Sequence, residues 1–156
     1  MNNKIEQGQN APLFGLKNQD NKEIQLNDYR GKNVILYFYP KDDTPGCTIE
    51  AQDFTKKQKE FNKYDCIILG VSRDDAKSHC KFIAKYKINF NLLVDENSEL
   101  CDLYGVLKEK SMFGKKSIGI ERSTFLIDKM GKIKKIWRNV KVNGHIEEIL
   151  EELSKK

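Results

Sequence analysis

The sequence predicts an α/β fold in which a central mixed sheet is flanked by helices. Apolar runs rich in β-branched and aromatic residues, at 33–39 and 66–72, are typical of strands buried on both faces. A longer helical pattern follows each run, and strands that alternate with helices favour parallel pairing in an α/β fold. The length of 156 residues suits one domain, which we expect to span 1–156.

The elements before and just after the first buried strand have clear boundaries. Short apolar patches around turn residues at 18–21 predict an N-terminal hairpin that lies on the main body. The first buried strand stops at Pro40, and Thr44-Pro45 then predicts a helix start, with Thr44 as N-cap and Pro45 at the first helical position. We expect this helix to run to about Asn62. One of its faces would carry Ala51, Phe54, Gln58 and Phe61.

After the second buried strand, Asp74 or Asp75 can cap a helix that reaches about Tyr86. The remaining predicted elements are a short strand at 92–94, a helix near 98–104, a loop rich in Gly, Lys and Ser at 108–119, a hairpin of strands 123–128 and 132–137, and a helix at 146–154. A sheet of this order, closed by an antiparallel hairpin, is the thioredoxin-like layout.

The charge pattern excludes several functions. The chain has 28 Lys and Arg against 23 Asp and Glu, a net charge of +5, but the two signs are interleaved, as at 56–60. We therefore expect no nucleic-acid partner. The first ten residues are polar and no long apolar stretch follows, which predicts neither a secretion signal nor a membrane span. These features indicate a cytoplasmic protein, whose thiols stay reduced.

The cysteines are too far apart for a familiar metal or dithiol site. Cys47, Cys66, Cys80 and Cys101 form no C-x-x-C pair and no zinc-ribbon spacing. We expect no metal and no other cofactor.

Cys47 is the candidate nucleophile. With Thr44 as N-cap, Cys47 is the third residue of the helix, where free backbone N–H groups and the helix dipole stabilise an anion such as a thiolate. A helix terminus alone supplies only about 0.3–1 kcal/mol, so a nearby cation is also needed. Arg122, directly before the strand 123–128, is the candidate. The Thr44 hydroxyl can bond the thiolate or a peroxide oxygen, and Pro40 can shield the pocket from water.

Pro40, Thr44 and Cys47 reproduce the P-x-x-x-T-x-x-C motif, and the sequence resembles the peroxiredoxins. The string FYPKDDTPGCT at 38–48 is similar to the bacterioferritin comigratory protein, or peroxiredoxin Q, branch, and the similarity continues at 70–74, 93–95, 120–125 and 142–145. The resemblance implies a thioredoxin-fold thiol peroxidase that reduces hydrogen peroxide and organic hydroperoxides without a cofactor. It also implies re-reduction by thioredoxin or a similar thiol, in a monomer or, as the alternative, a dimer.

Carried onto this chain, the resemblance makes Cys47 the peroxidatic cysteine, which attacks the O–O bond and becomes a sulfenic acid. Thr44 and Arg122 would align and polarise the peroxide, and Pro40 would shield the thiolate. A second interpretation is a thioredoxin-like redox-relay or binding protein without peroxidase turnover. Such a protein would have no need of Thr44 and Arg122 beside the cysteine.

The chain departs from this branch at the resolving cysteine. Many members carry it five residues after the peroxidatic cysteine, where this chain has Gln52, and others carry it at the position of Ile83. Cys80 lies one helical turn before Ile83 and has two interpretations. It is either a core residue on an apolar stripe with Ala76, Ile83 and Ala84, or a displaced resolving thiol that reaches Cys47 only if both helices unwind locally.

The remaining candidates are expected to be structural. Cys66 and Cys101 lie in apolar segments and should be packing residues, as should Trp137 and the aromatic run at 37–39. His79 is expected on the solvated flank of its helix, and His145 near the start of the last helix, neither with a catalytic role.

Overall fold

The computed structural model describes residues 5–155. The strands are β1 (Gly15–Lys17), β2 (Glu23–Gln25), β3 (Asn33–Phe38), β4 (Cys66–Ser72), β5 (Asn91–Val94), β6 (Leu107–Met112), β7 (Lys115–Ile120), β8 (Ser123–Ile127) and β9 (Ile133–Arg138). The α-helices are α1 (Pro45–Lys56), α2 (Gln58–Lys63), α3 (Ala76–Tyr86), α4 (Glu99–Leu103) and α5 (His145–Ser154), with a 3₁₀ turn at Leu26–Tyr29. None of the helices described in 5–155 is both long and apolar enough to cross a membrane.

The two apolar runs form neighbouring strands of a mixed five-stranded sheet, as the sequence predicts. Its strand order is β5-β4-β3-β8-β9. β3, β4 and β5 are parallel, whereas β8 pairs antiparallel with both β3 and β9. The closing hairpin β8–β9 is therefore in the predicted place, and the α/β thioredoxin-like architecture is confirmed.

The alternation of side chains along β3 divides the core into two halves. Val34, Leu36 and Phe38 pack on one face of the sheet with the N-terminal segment and α4. Ile35 and Tyr37 point to the other face, which is covered by α1, α2, α3 and α5. Cys47 belongs to this second half, so its helix lies directly on the sheet.

The helix expected to run from Thr44 to Asn62 is interrupted at Lys57. At that residue φ is −99° and ψ is 13°, and its backbone N–H is shared between the carbonyls of Asp53 and Phe54. Phe54 and Phe61, on either side of the break, are both fully buried, with ring centroids 5.8 Å apart. The break thus allows both rings to reach the same core, which a sequence pattern cannot indicate.

The prediction of a loop at 108–119 is wrong, because this segment forms the hairpin β6–β7. The strands pair from Leu107↔Ile120 to Met112↔Lys115. The turn between them is Phe113-Gly114, with φ of 52° and 76°, the backbone that two-residue hairpin turns require. Mostly exposed side chains on both faces give this hairpin no apolar alternation, so the sequence did not indicate strands.

The N-terminal hairpin is present as predicted. β1 and β2 pair antiparallel, and Asn18 in their turn forms an isolated bridge with Leu93 of β5. The Asn18 amide also donates to the Asn91 side chain, at 3.1 Å. These contacts attach the hairpin to the edge of the sheet beside α3.

Candidate active site

The loop between β3 and α1 positions the candidate cysteine. Thr44 has the extended backbone of an N-cap and Pro45 is the first helical residue, so Cys47 lies in the first turn of α1. The Thr44 hydroxyl donates to the Lys41 carbonyl at 2.8 Å and does not cap a helix amide. The Thr44 side chain therefore accepts no hydrogen bond from the first-turn N–H groups, which can donate to an anion.

Arg122 brings a positive charge directly to the sulfur. It lies between β7 and β8, and its Nη2 is 3.4 Å from Cys47 Sγ. Its other terminal nitrogen, Nη1, donates to Glu50 Oε1 at 2.7 Å. The guanidinium is thus held at both ends, with one N–H directed at the sulfur, as the sequence hypothesis for Arg122 requires.

Gly46 makes room for this arrangement. A Cβ atom built at residue 46 would lie 3.1 Å from Arg122 Nη2. This distance is tighter than most Cβ contacts, so any residue larger than glycine would force the guanidinium to move by a few tenths of an ångström. The bond from Arg122 Nη1 to Glu50 opposes that movement. Glycine at position 46 therefore allows the Arg122 side chain to lie close to Cys47.

Glu50 is a carboxyl group in an apolar environment. Its side chain has no exposed surface, and its Oε2 is among the buried polar atoms that lack a partner within 5–155. Burial raises its pKa from 4.5 to about 7, although Arg122 opposes the shift. Burial lowers the pKa of Arg122, but the opposing charges of Glu50 and Cys47 outweigh it and raise that pKa overall. The guanidinium consequently stays charged.

The sulfur is buried but polar in its surroundings. Only 1% of Cys47 is exposed, and it joins the core half that contains Ala51 and Phe54. Because the Arg122 guanidinium contacts the sulfur, the environment of Cys47 is not purely apolar. The Arg122 side chain beside it is 16% exposed.

Pro40 lies directly beyond β3 and is partly buried. The Tyr39 N–H still bonds the Val71 carbonyl, at 3.0 Å, but Pro40 has no N–H with which to continue the ladder. The chain therefore leaves the sheet here and turns toward α1. A shielding role for Pro40 remains a prediction.

Two of the other cysteines are packing residues, as expected. Cys66 and Cys101 are buried. Burial raises the pKa of Cys66 to about 12, and burial with the nearby Asp95 raises that of Cys101 well above its usual range. Both thiols therefore stay protonated at neutral pH and are poor nucleophiles.

The interpretation of Cys80 as a core residue is wrong. α3 turns His79 and Phe82 toward the core and leaves Cys80 and Ala84 exposed. The Cys80 thiol donates to the Gln19 carbonyl at 3.2 Å, in the N-terminal hairpin. Cys47 and Cys80 are both free thiols in this structure.

The placement of His79 on a solvated flank is also wrong. His79 has no exposed surface and bonds Asp42, so it faces the loop that carries Cys47. His145 begins α5, as expected, where its Nε2 lies 2.8 Å from Thr124 Oγ1. Burial lowers the pKa of His145 and favours its neutral form.

Glu50 was not among the predicted site residues, although the sequence contains a signal for it. Cys47, Glu50, Ala51 and Phe54 have the i, i+3, i+4, i+7 spacing of one helix face. A charged residue on such an apolar face is rarely buried without a partner, which should have prompted a search for a cation. The roles of Gly46 and of Asp42 have no comparable signal, because they depend on distant segments.

Comparisons with known proteins agree with this site. The AhpC/TSA family profile matches residues 7–136. Peroxiredoxin Bcp of Bacillus subtilis is 50% identical over 149 residues, which cover 96% of this chain and 95% of the relative. A peroxiredoxin Q mutant from Xylella fastidiosa superimposes with a TM-score of 0.91 at 40% identity, covering 96% of each chain.

A solved structure of the bacterioferritin comigratory protein of Xanthomonas campestris gives a TM-score of 0.86 at 44% identity, covering 90% of this chain and 89% of the other. These relatives favour the peroxidase over the redox-relay alternative. The chain therefore belongs to the AhpC/TSA family and is a peroxiredoxin, a thiol peroxidase of the bacterioferritin comigratory protein, or peroxiredoxin Q, branch.

Proposed function

We propose that Cys47 is the peroxidatic cysteine of this enzyme. The observation that carries the proposal is the Arg122 guanidinium, 3.4 Å from a sulfur in the first turn of a helix. The sulfur of the thiolate bonds to the terminal oxygen of the hydroperoxide as the O–O bond breaks. The departing oxygen takes a proton, so the products are a Cys47 sulfenic acid and an alcohol, or water when the substrate is hydrogen peroxide.

Arg122 and Thr44 act on the peroxide. The Arg122 N–H beside the sulfur stabilises the thiolate before attack and the negative charge that develops on the peroxide oxygens during it. The Thr44 hydroxyl donates a hydrogen bond to the Lys41 carbonyl, so its oxygen can accept a hydrogen bond from the peroxide O–H. Pro40, at the end of β3, limits the access of water to the same pocket.

Hydrogen peroxide and organic hydroperoxides are the proposed substrates. The Xanthomonas campestris relative is described for its alkyl peroxide reduction activity. Ile49, two residues after Cys47, is 51% exposed and supplies an apolar surface next to the helix start. Such a surface suits the alkyl part of an organic hydroperoxide.

The test compares peroxide consumption by the wild type and by Cys47→Ser, with dithiothreitol or thioredoxin as reductant. Cys66→Ser is the matched control, because Cys66 is similarly buried and its pKa is set by burial and a backbone hydrogen bond, not by a cation of residues 5–155. We expect Cys47→Ser to abolish turnover and Cys66→Ser to retain it. Equal rates for the wild type and Cys47→Ser would reject the assignment.

The sulfenic acid is resolved either by Cys80 or by an external thiol. Exposure of Cys80 supports its availability, but its thiol faces Gln19 whereas Cys47 faces Arg122. A disulfide needs Cα atoms within about 7 Å, and Cys47 and Cys80 lie on different helices, so we expect intramolecular resolution to need local unwinding of α1 and α3.

Mass spectrometry after one equivalent of hydrogen peroxide distinguishes the two routes. A Cys47–Cys80 bond in the wild type, replaced by a trappable sulfenic acid in Cys80→Ser, would establish Cys80 as the resolving thiol. A persistent sulfenic acid in both would establish the external thiol. The double variant Cys80→Ser/Ile83→Cys places a thiol at the position other members of the branch use, and serves as the positive control.

We further propose thioredoxin or a similar thiol as the reductant, a cytoplasmic location, and a single domain over 1–156 that acts as a monomer, with a dimer as the alternative. Interleaved surface charge supports the absence of a nucleic-acid partner. Sedimentation of the reduced and oxidised enzyme tests the oligomeric state. Assays with purified thioredoxin and glutaredoxin test the reductant.

A further inference from the structure

Asp42 is the most heavily bonded side chain of the loop that carries Thr44 and Cys47. Its Oδ1 accepts the Tyr39 hydroxyl at 2.6 Å. Its Oδ2 accepts from the Ser78 hydroxyl at 2.8 Å and lies 2.7 Å from His79 Nδ1. The side chain is only 3% exposed, so these bonds replace its water. A hydroxyl donor on each of the two oxygens fits an ionised carboxylate.

His79 faces acceptors with both ring nitrogens. Nδ1 lies against the Asp42 carboxylate, and Nε2 lies 2.9 Å from the Leu93 carbonyl of β5. A backbone carbonyl can only accept, so Nε2 carries hydrogen, and the ionised carboxylate places a second hydrogen on Nδ1. The geometry therefore indicates an imidazolium ion buried beside a carboxylate.

The charged groups around His79 agree with this protonation state. Burial favours the neutral ring, but Asp42, the Leu93 carbonyl and, at longer range, Asp74 outweigh it and raise the His79 pKa overall. Asp74 is itself tied to the loop, because its Oδ2 accepts the Asp42 N–H at 2.9 Å and the Ser72 hydroxyl at 2.6 Å. Asp75 on α3 is engaged in capping that helix through Ser78.

The pair joins the loop before α1 to α3, the helix that also carries Cys80. A second tie lies outside, where Asp43 accepts from Lys85 Nζ at 2.9 Å and Tyr86 Oη at 2.7 Å. Those groups are largely exposed, so the outer tie contributes little. The buried Asp42–His79 pair is accordingly the main polar contact between the Cys47 loop and α3.

We propose that His79 is a positioning residue, whose imidazolium ion holds Asp42 and thereby keeps the Cys47 loop closed on α3. Loss of the proton leaves Nδ1 with no hydrogen for the carboxylate and loosens the loop. This role rests on Cys47 as the attacking thiol, since the loop matters to catalysis only through Cys47 and Thr44. It is distinct from the direct contact of Arg122 with the sulfur.

The sign of the pH dependence follows from linkage. In the opened loop, His79 returns to an ordinary pKa of about 6.5, whereas in the closed loop its pKa is higher. Opening is therefore rarest below pH of about 6.5. It rises up to tenfold per pH unit as pH increases toward the closed-state pKa of His79, and is constant above it.

Nitrogen NMR of the wild type tests the protonation state without any variant. The chain has two histidines, His79 and His145, and both are buried. At pH 7 we expect imidazolium shifts for His79 and neutral-ring shifts for His145, which is the internal control. A neutral His79 at pH 6 would overturn the proposal. So would one equivalent of zinc in the purified protein, because donor atoms of Asp42, Asp74 and His79 lie within 4.8 Å of one another.

Hydrogen exchange measures the loop itself. We expect the protection factor of the Asp42 amide to fall as pH rises above about 6.5, while that of Leu36, in the central strand, stays constant. In Asp42→Asn/His79→Gln, which keeps a neutral hydrogen bond, the pH dependence should vanish. The same protection at all pH values in the wild type would contradict the role of His79.

The rate of reaction with peroxide tests whether the Asp42–His79 pair affects catalysis. We expect His79→Asn to lower the rate constant for oxidation of Cys47 about tenfold or more, and Asp42→Asn/His79→Gln to recover part of it. Additive losses in Asp42→Asn, His79→Gln and the double variant that combines them would overturn the coupling. The exchange and NMR measurements do not involve peroxide, so their failure is distinguishable from a failure of Cys47 as the nucleophile.

Discussion

Two buried ion pairs involve the loop before α1 and the first turns of α1, and they contact different groups. Arg122–Glu50 touches the sulfur, with Nη2 3.4 Å from Cys47 Sγ. His79–Asp42 contacts the loop at Asp42, which lies five residues before Cys47 in sequence. A buried ion pair is costly to form and weak support for stability alone. The difference suggests that one pair serves the chemistry of Cys47 and the other its position.

The largest effect is expected from removing the cation beside the sulfur. Arg122→Met should lower the rate constant for peroxide reduction by about 10²–10³-fold, the loss typical of a deleted donor to a developing negative charge. Arg122→Lys keeps the charge but cannot bond Glu50 and Cys47 at once, so it should recover only part of the rate. Stopped-flow oxidation at fixed pH measures both.

A rate constant of Arg122→Met within threefold of the wild-type value would contradict the role of Arg122 at the sulfur. Circular dichroism and urea unfolding of each variant are the controls, since a misfolded protein would also lose activity.

Glu50 should make stability depend on pH. Between pH of about 4.5 and 7 the folded chain keeps a proton on Glu50 that the unfolded chain has lost. Raising pH through this window therefore lowers the free energy of unfolding, by about 3 kcal/mol at most. Glu50→Gln cannot ionise, so its stability relative to the wild type should increase from pH 5 to pH 8 in urea unfolding.

The exposed Glu151→Gln is the matched control and should show no such trend. If the difference in free energy of unfolding between Glu50→Gln and the wild type stayed constant across this range, the pKa of Glu50 would be the ordinary one.

A smaller effect is expected from crowding the guanidinium. Gly46→Ala places a Cβ atom 3.1 Å from Arg122 Nη2 and should lower the peroxide rate constant about tenfold. The same change should leave stability equal or slightly higher, because alanine favours a helix more than glycine does. A lower rate with unchanged unfolding would separate the placement of Arg122 from folding. An unchanged rate would mean that the guanidinium can shift freely.

The smallest effect concerns Cys66, which shares the core half of Cys47 without a cation beside it. With a pKa of about 12, roughly 0.01% of Cys66 is thiolate at pH 8. Iodoacetamide should therefore modify Cys47 and exposed Cys80 while sparing Cys66 in the folded enzyme. Peptide mass spectrometry measures this, and rapid labelling of Cys66 would show that burial alone does not distinguish the two sites.

Much of the fold could be predicted because it follows from local patterns. The apolar runs before Pro40 and Arg73 indicated the two central strands, and Thr44-Pro45 indicated the start of α1. The hairpin β6–β7 was missed, since its exposed side chains carry no alternation, and the break at Lys57 was missed because it depends on how Phe54 and Phe61 share one core.

The site divides in the same way. Motif spacing led to Cys47, Thr44, Pro40 and Arg122, and the structure brings Arg122 to the sulfur. It did not lead to His79, whose burial depends on the loop at Asp42, nor to the exposure of Cys80, which depends on how α3 is rotated on the sheet. Helix periodicity gives the spacing of a face but not which face is buried when several are mixed.

By itself, the sequence determined that a thiol begins a helix after a buried strand, because strand, proline and N-cap are local signals. Only the tertiary structure decided which charges surround that helix start. Arg122, Glu50, Asp42 and His79 come from separate segments, and their pairing depends on strand order and on which side chains lose water. Burial is a property of the whole fold, and burial sets the energy of every charge at this site.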